Sequence, residues 1–141
     1  MGTNYLTAGP VSQKLISQLI KKMGSKTNSG GHSIFFGQVR ADEIDGKKVK
    51  AIEYSAYEEL VNAEAEMIKR TILSEFSDVK SIDIIHSTGV VKAGEISLLV
   101  FVSAGHRHQA MQACSETVEL IKDNLPVWKK EIFEDDSFKW K

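Results

Sequence analysis

The chain has 141 residues, the size of one domain, and at that length it can bury on the order of 70% of the surface its unfolded form exposes. Its 42% apolar and 26% charged content argues against disorder, and 18 Lys and Arg against 19 Asp and Glu leave no global field to select nucleic acid or an anionic membrane, so any anion site must be built locally. One cysteine excludes an internal disulfide or a cysteine metal cluster. The lack of an ~18-residue apolar run, of a secretory signal and of a Ser or Thr at position 6 (it is Leu6, so Met1-Gly2 is no myristoylation pattern) leads us to expect a cytoplasmic chain.

In chain order, residues 10–23 predict a first helix, with Pro10 at its first position, an apolar stripe of Val11, Leu15, Leu19, Ile20 and Met23, and Gly24 as a stop. Residues 25–31 are a small, polar loop without the order of a phosphate-binding loop. Residues 32–41 carry branched and aromatic side chains on both faces, as a strand buried on both sides would, and Gly37 within them points to a bulge. Asp45-Gly46 marks a hairpin turn, and the chain returns as a strand over 49–55. A second helix is expected over 57–76, its stripe formed by Leu60, Ala63, Met67, Ile68, Ile72 and Phe76. Strands over 79–86 and 96–104, a third helix over 106–124 ended by Pro126, and a strand-like tail over 127–141 complete the reading. The alternation of hairpins and helices predicts one α+β domain spanning 1–141.

No dinucleotide fingerprint, zinc-protease motif, nucleophile elbow or paired cysteines occur. His106 and His108 flank Arg107 without a matching carboxylate or thiol, too little to predict a metal site. His32 and His86 fall within strands, as packed residues do. Cys114 falls on the apolar stripe of the third helix with Ala110, Ala113, Thr117, Leu120 and Ile121, where a small buried hydrophobe fits better than a nucleophile.

The cations say more. Arg40 ends a strand read as buried and needs a partner, for which Glu53 is available. Arg107 occupies the first turn of the third helix, where an anionic side chain is the usual choice, and would suit a phosphate or carboxylate together with the helix N-terminus. Lys122 lies in the last turn of that helix, where a lysine also serves merely to complement the helix dipole. Lys129 and Lys130 follow, and alternation along an extended segment sends only one of them to a shared site. Arg107 and Lys122 are fifteen residues apart, about 22 Å along a helix, so both serve one small ligand only if the site lies between two copies of the chain.

Phe36-Gly37-Gln38-Val39-Arg40, Glu53-Tyr54-Ser55-Ala56-Tyr57, Gly94-Glu95, Ser103-Ala104-Gly105-His106-Arg107 and the run from Lys122 to Glu131, in this order and spacing, resemble the large, catalytic subunit family of molybdopterin synthase. The resemblance spans about residues 30 to 131. It implies an α+β hammerhead fold, a central homodimer, and a small ubiquitin-like sulfur-carrier subunit at each end. The carrier's C-terminal Gly-Gly thiocarboxylate would pass its sulfur, twice, to cyclic pyranopterin monophosphate to make the dithiolene of molybdopterin. The substrate-contacting positions it implies are Gln38, Val39, Arg40, His106, Arg107, Lys122, Lys129, Lys130 and Glu131, with His106 and Arg107 reaching in from the neighbouring subunit. On this reading Lys122 is the central catalytic group, Lys129 assists, and neither a metal nor another cofactor is required, because molybdenum is inserted by later enzymes. The chain departs from the family pattern at Gly31-His32, at Ser87 after His86, and at Lys130, where an arginine is common. The competing reading is a non-enzymatic dimeric α+β module that binds a small anion at its interface.

Overall fold

The computed structural model describes residues 4–141; Met1-Gly2, read above as failing the myristoylation pattern, lies outside them. In chain order the elements are β1 (Leu6–Ala8), α1 (Gln13–Met23), β2 (Gly31–Gln38), β3 (Glu43–Ile44), β4 (Lys47–Ala56), α2 (Glu58–Glu75), β5 (Val79–Lys92), β6 (Ile96–Ala104), α3 (Arg107–Asn124), β7 (Val127–Phe133) and β8 (Phe138–Trp140). Three helices against a largely antiparallel sheet make this the α+β architecture expected.

The strands run β2-β6-β5-β4-β7-β8, with β1 parallel to β5 and β3 paired to β4. The pivot is β5. Its first part pairs with β6 from Val79 to His86, and its last part pairs with β4 from Gly89 to Lys92. The sequence reading ended this strand at His86. It continues because Gly89, at φ +79, lets the strand leave one partner and take up another. One half of the sheet is covered by α2 and α3, which with β5 and β6 enclose a core including Ile68, Ile72, Ile82, Val100, Val102 and Ile121. The other half carries a smaller cluster of Val39, Val49, Ile52, Tyr54, Val91 and Phe133. On the opposite face α1 packs Val11 and Met23 on Leu99 and Phe101.

Several local expectations are corrected. Helix α1 starts after Ser12, whose Oγ accepts from the Leu15 amide at 3.2 Å, so Pro10 precedes the helix rather than opening it. Strand β2 stops at Gln38, after the register shift at Gly37/Gln38 that the glycine foretold, and Arg40 therefore lies outside it. Nor is β2 buried on both faces. It is the last strand of the sheet path, and Ile34 and Phe36 are about 40% exposed at 38% and 42%. On α2 the buried residues are Val61, Ala65, Ile68 and Ile72, so the expected stripe is rotated and Leu60 and Met67 are both 57% exposed. The helix meets the sheet through a small residue, Ala65, that the larger neighbours outweighed in the pattern.

Asp45 (φ +52) and Gly46 (φ +77) form the predicted hairpin turn between β3 and β4. That hairpin is tied to the β7–β8 turn: Lys47 pairs with Asp135 at 3.1 Å and donates to Ser137 at 3.0 Å, and Lys50 pairs with Asp136. The stripe of α3 is as read, with Ala110, Ala113, Cys114, Thr117 and Ile121 buried, and Val118 added. No helix is long and apolar enough to cross a membrane among the described residues.

Candidate active site

Where the C-terminal end of α3 meets the end of β2 and the strands β4 and β7, the two halves of the sheet leave a cavity of about 400 Å³. Each element brings functional groups for its own reason. The β2 bulge turns the chain so that Gln38, Val39 and Arg40 edge the cavity. The last turn of α3 sets Lys122 over the Phe35 ring, its Nζ 6.0 Å from the ring centre. Alternation along β7 directs Val127, Lys129 and Glu131 inward.

Six of the nine sequence-named residues therefore line one cavity: Gln38, Val39, Arg40, Lys122, Lys129 and Glu131. Their roles in it differ. Val39 is 2% exposed and fills the small core with Val49 and Phe133; its backbone binds the Gly94-Glu95 turn through the Gly94 N–H and the Glu95 carbonyl. Arg40 is at the surface and paired with Asp42 at 3.4 Å, not with Glu53. Glu131 is buried and makes no ion pair within 4.0 Å among the described residues.

Lys130 does not line the cavity. It lies on the other face of β7, where its Nζ pairs with Glu53 at 3.0 Å and sits over Phe138 and Trp140, 4.6 and 5.5 Å from the ring centres. Only one of the adjacent lysines points inward, as alternation requires, and it is Lys129. His106 and Arg107 are also outside the cavity wall of their own chain, at the far end of α3. His106 is the exposed N-cap, and Asp78 Oδ2 accepts from both its amide (2.8 Å) and its Nδ1 (3.1 Å). Burial alone would raise the Asp78 carboxyl, but the bonds from the His106 side chain and amide, with the charges of His106 and Lys80, hold it below the usual carboxylate range. A Cβ at Gly105 would collide with that carboxylate, which is why the clasp needs glycine there.

The electrostatics single out Lys129. Burial lowers the pKa of its ammonium below the usual lysine value, and the charges of Lys141 and Lys122 lower it further. Five further polar residues of the wall are absent from the site expected from the sequence: Asp42, Tyr54, His86, Ser97 and Lys141. Burial pushes the Tyr54 phenol up, partly offset by its 3.0 Å bond to Ser97. Lys141 is recognisable only once β8 is known, since the Lys141 amide donates to the Lys129 carbonyl (2.9 Å) and so extends the β7–β8 register. Cys114 is buried and its thiol pKa raised by burial, against weaker opposing hydrogen bonds. No three His, Cys, Asp or Glu side chains converge as metal ligands among the described residues.

Comparison with known proteins shows the family and agrees with the fold. The family model described as MoaE protein matches residues 6–124. A relative named molybdopterin synthase catalytic subunit, from Dictyostelium discoideum, is 41% identical over 117 residues, which cover 82% of this chain and 73% of the relative. The crystal structure of molybdopterin synthase from Staphylococcus aureus superposes with a TM-score of 0.86 at 28% identity, covering 100% of this chain and 98% of that one. A structure described as the complex of subunits 1 and 2 of molybdopterin-converting factor from Helicobacter pylori has the same fold, with a TM-score of 0.79 at 20% identity over 96% of this chain and 89% of that one. With a family model matching most of its length and the catalytic-subunit relative so similar, the chain belongs to the MoaE family.

Proposed function

We propose that the cavity beside α3 is where this chain, as a sulfurtransferase of molybdenum cofactor biosynthesis, adds sulfur to its pterin substrate. The observation that carries the assignment is Lys129, an amine drawn into the wall of a cavity where burial and two further lysines make its proton easier to lose. The substrate is cyclic pyranopterin monophosphate, and the sulfur arrives as the thiocarboxylate at the Gly-Gly end of a small ubiquitin-like carrier subunit. The Helicobacter pylori complex of two converting-factor subunits supports a small-subunit partner of this kind.

In each of the two transfers the thiocarboxylate sulfur bonds to a ring carbon while that carbon loses its oxygen substituent, as water or as the phosphate oxygen when the cyclic ester opens, and a second water then cleaves the acyl–sulfur bond, releasing the carrier as its carboxylate. Lys122 donates to the negative oxygen of the tetrahedral intermediate formed by that water. Lys129 moves protons: its lowered pKa lets it alternate between ammonium and amine nearer the working pH than an ordinary lysine. Arg40 exchanges Asp42 for the substrate phosphate. Gln38, the Val39 backbone and Glu131 border the substrate. His106 and Arg107 complete the phosphate site from a second copy of the chain, which makes the homodimer part of the site rather than packing. Lys130 supports the strand from behind. The chain acts as one domain over 1–141, in the cytoplasm.

A single-turnover assay with thiocarboxylated carrier and cyclic pyranopterin monophosphate, following the dithiolene product, tests the assignment. Product that disappears in Lys129→Ala and Lys122→Ala, with carrier binding intact, is the expected result. Unchanged turnover in both variants overturns it. Tight substrate binding without product from the wild-type chain would favour the anion-binding module instead.

A further inference from the structure

The back wall of the cavity holds one polar group that this reaction scheme leaves unused. His86 closes the β5–β6 pairing opposite Leu98, and its amide donates to the Tyr5 carbonyl at 2.8 Å. The residue is 6% exposed, lines the cavity, and meets the Tyr54 ring edge-on with centres 5.1 Å apart. Its Nδ1 lies 2.8 Å from the Ser87 carbonyl oxygen. A carbonyl only accepts, so Nδ1 carries the proton, and in the neutral ring Nε2 is left as an acceptor. Nε2 has no hydrogen-bond partner among the described residues.

The neighbouring polar groups do not supply one. The Tyr54 hydroxyl donates to Ser97, and the Ser97 hydroxyl donates to the Gly37 carbonyl at 3.4 Å. The charged groups around the cavity are Lys122 from α3, Lys129 and Glu131 from β7, Lys141 beyond β8, and Arg40 and Asp42 after β2. Burial keeps the imidazole neutral against its bond to Ser87, and the Lys129 charge acts in the same direction. Nε2 is not among the fully buried unpartnered side-chain atoms, which are Ser29 Oγ, Asp83 Oδ2 and Ser87 Oγ among the described residues, so it opens onto the cavity and can accept from a donor that enters there.

We propose that His86 Nε2 accepts a hydrogen bond from a ring N–H of the substrate, making His86 a binding residue that reads the heterocycle while the cations hold its anionic part. The assignment rests on the reading that this cavity takes a reduced pterin. Such a ring presents N–H donors along its edge, and lysine and arginine, having no acceptor, cannot satisfy them. A neutral imidazole fits that need without adding charge.

The test is ¹⁵N NMR of the full-length chain labelled in both histidine and lysine, titrated with cyclic pyranopterin monophosphate and, separately, with the carrier. Before addition, His86 shows the neutral Nδ1–H tautomer at pH 7. Saturating pterin shifts its Nε2 resonance, and the carrier alone does not. His86→Leu weakens pterin binding about tenfold or more, with carrier affinity unchanged, and His86→Gln, whose Oε1 reaches toward the same position, recovers most of it. An Nε2 resonance unmoved by bound pterin overturns the proposal, as does equal pterin binding by the Leu and Gln variants or a shift produced by the carrier alone. If pterin moves neither Nε2 nor the Lys122 and Lys129 side-chain resonances, the cavity assignment itself fails and the proposal with it.

Discussion

The two faces of β7 place adjacent lysines in opposite circumstances. Lys129 points into the cavity, where burial and the charges of Lys141 and Lys122 act against its ammonium. Lys130, one residue on, is matched by Glu53 and lies over two aromatic rings. The same side chain is thus an ammonium disfavoured by its surroundings on one face and a paired, ring-covered one on the other. A strand's two-residue period makes that separation complete over a single peptide unit. The environment of each charge is set by the face its lysine occupies, not by membership of a basic run.

The contrast is broken most directly by truncating each lysine in turn. Lys129→Ala is expected to lower the single-turnover rate by about 10²- to 10⁴-fold, the range for losing a positioned proton-transfer group. Lys130→Ala should leave the rate within severalfold. Equal losses in the two variants would show that the faces are not functionally distinct.

A second test uses pH and stability. The folded-state pKa of Lys129 lies below its ordinary value of 10.5, so between those two pH values the unfolded chain binds more protons than the folded one. Its contribution to stability therefore rises with pH across that window and is lowest below it, where the ammonium is held buried. Denaturant unfolding from pH 7 to 10.5 should show this rise in the wild type and less of it in Lys129→Met, which should also be the more stable protein at pH 7. His86 has the same sign in a lower window: its pKa is below 6.5, so acidification from 6.5 through the folded value removes stability. His86→Gln should reduce that loss.

The smallest effect belongs to the outer face. Glu53→Gln removes the partner of Lys130, and because Glu53 is 40% exposed the pair contributes only about 0–1 kcal/mol. Urea midpoints would resolve a change of that size, and the turnover rate should not follow it.

The elements that could be read from the chain were those whose signal is local. The Asp45-Gly46 turn needs two residues able to adopt positive φ, and the stripe from Ala110 to Ile121 keeps helical spacing without a competing apolar face. The stripe expected on α2 is right at Ile68, Ile72 and Phe76 but rotated at Leu60 and Met67, which outweigh Val61 and Ala65 in the pattern although the core takes the smaller pair. Strands β1 and β8 have three residues each, too few for a period, and exist through pairing with β5 and β7.

The same division holds for the site. Arg40, Arg107, Lys122 and Lys129 stand out as cations in telling places, and the order and spacing of the motifs that contain them carry the family resemblance. That only one of Lys129 and Lys130 faces inward also follows from the sequence, because alternation is a property of any extended backbone. Which one it is, and that Tyr54, His86, Ser97 and Lys141 join it, was decided by the tertiary structure. Burial, cross-strand neighbours and the charges that shift a pKa all depend on residues distant in sequence, and they come into being only when β4, β5, β7 and α3 close around one cavity.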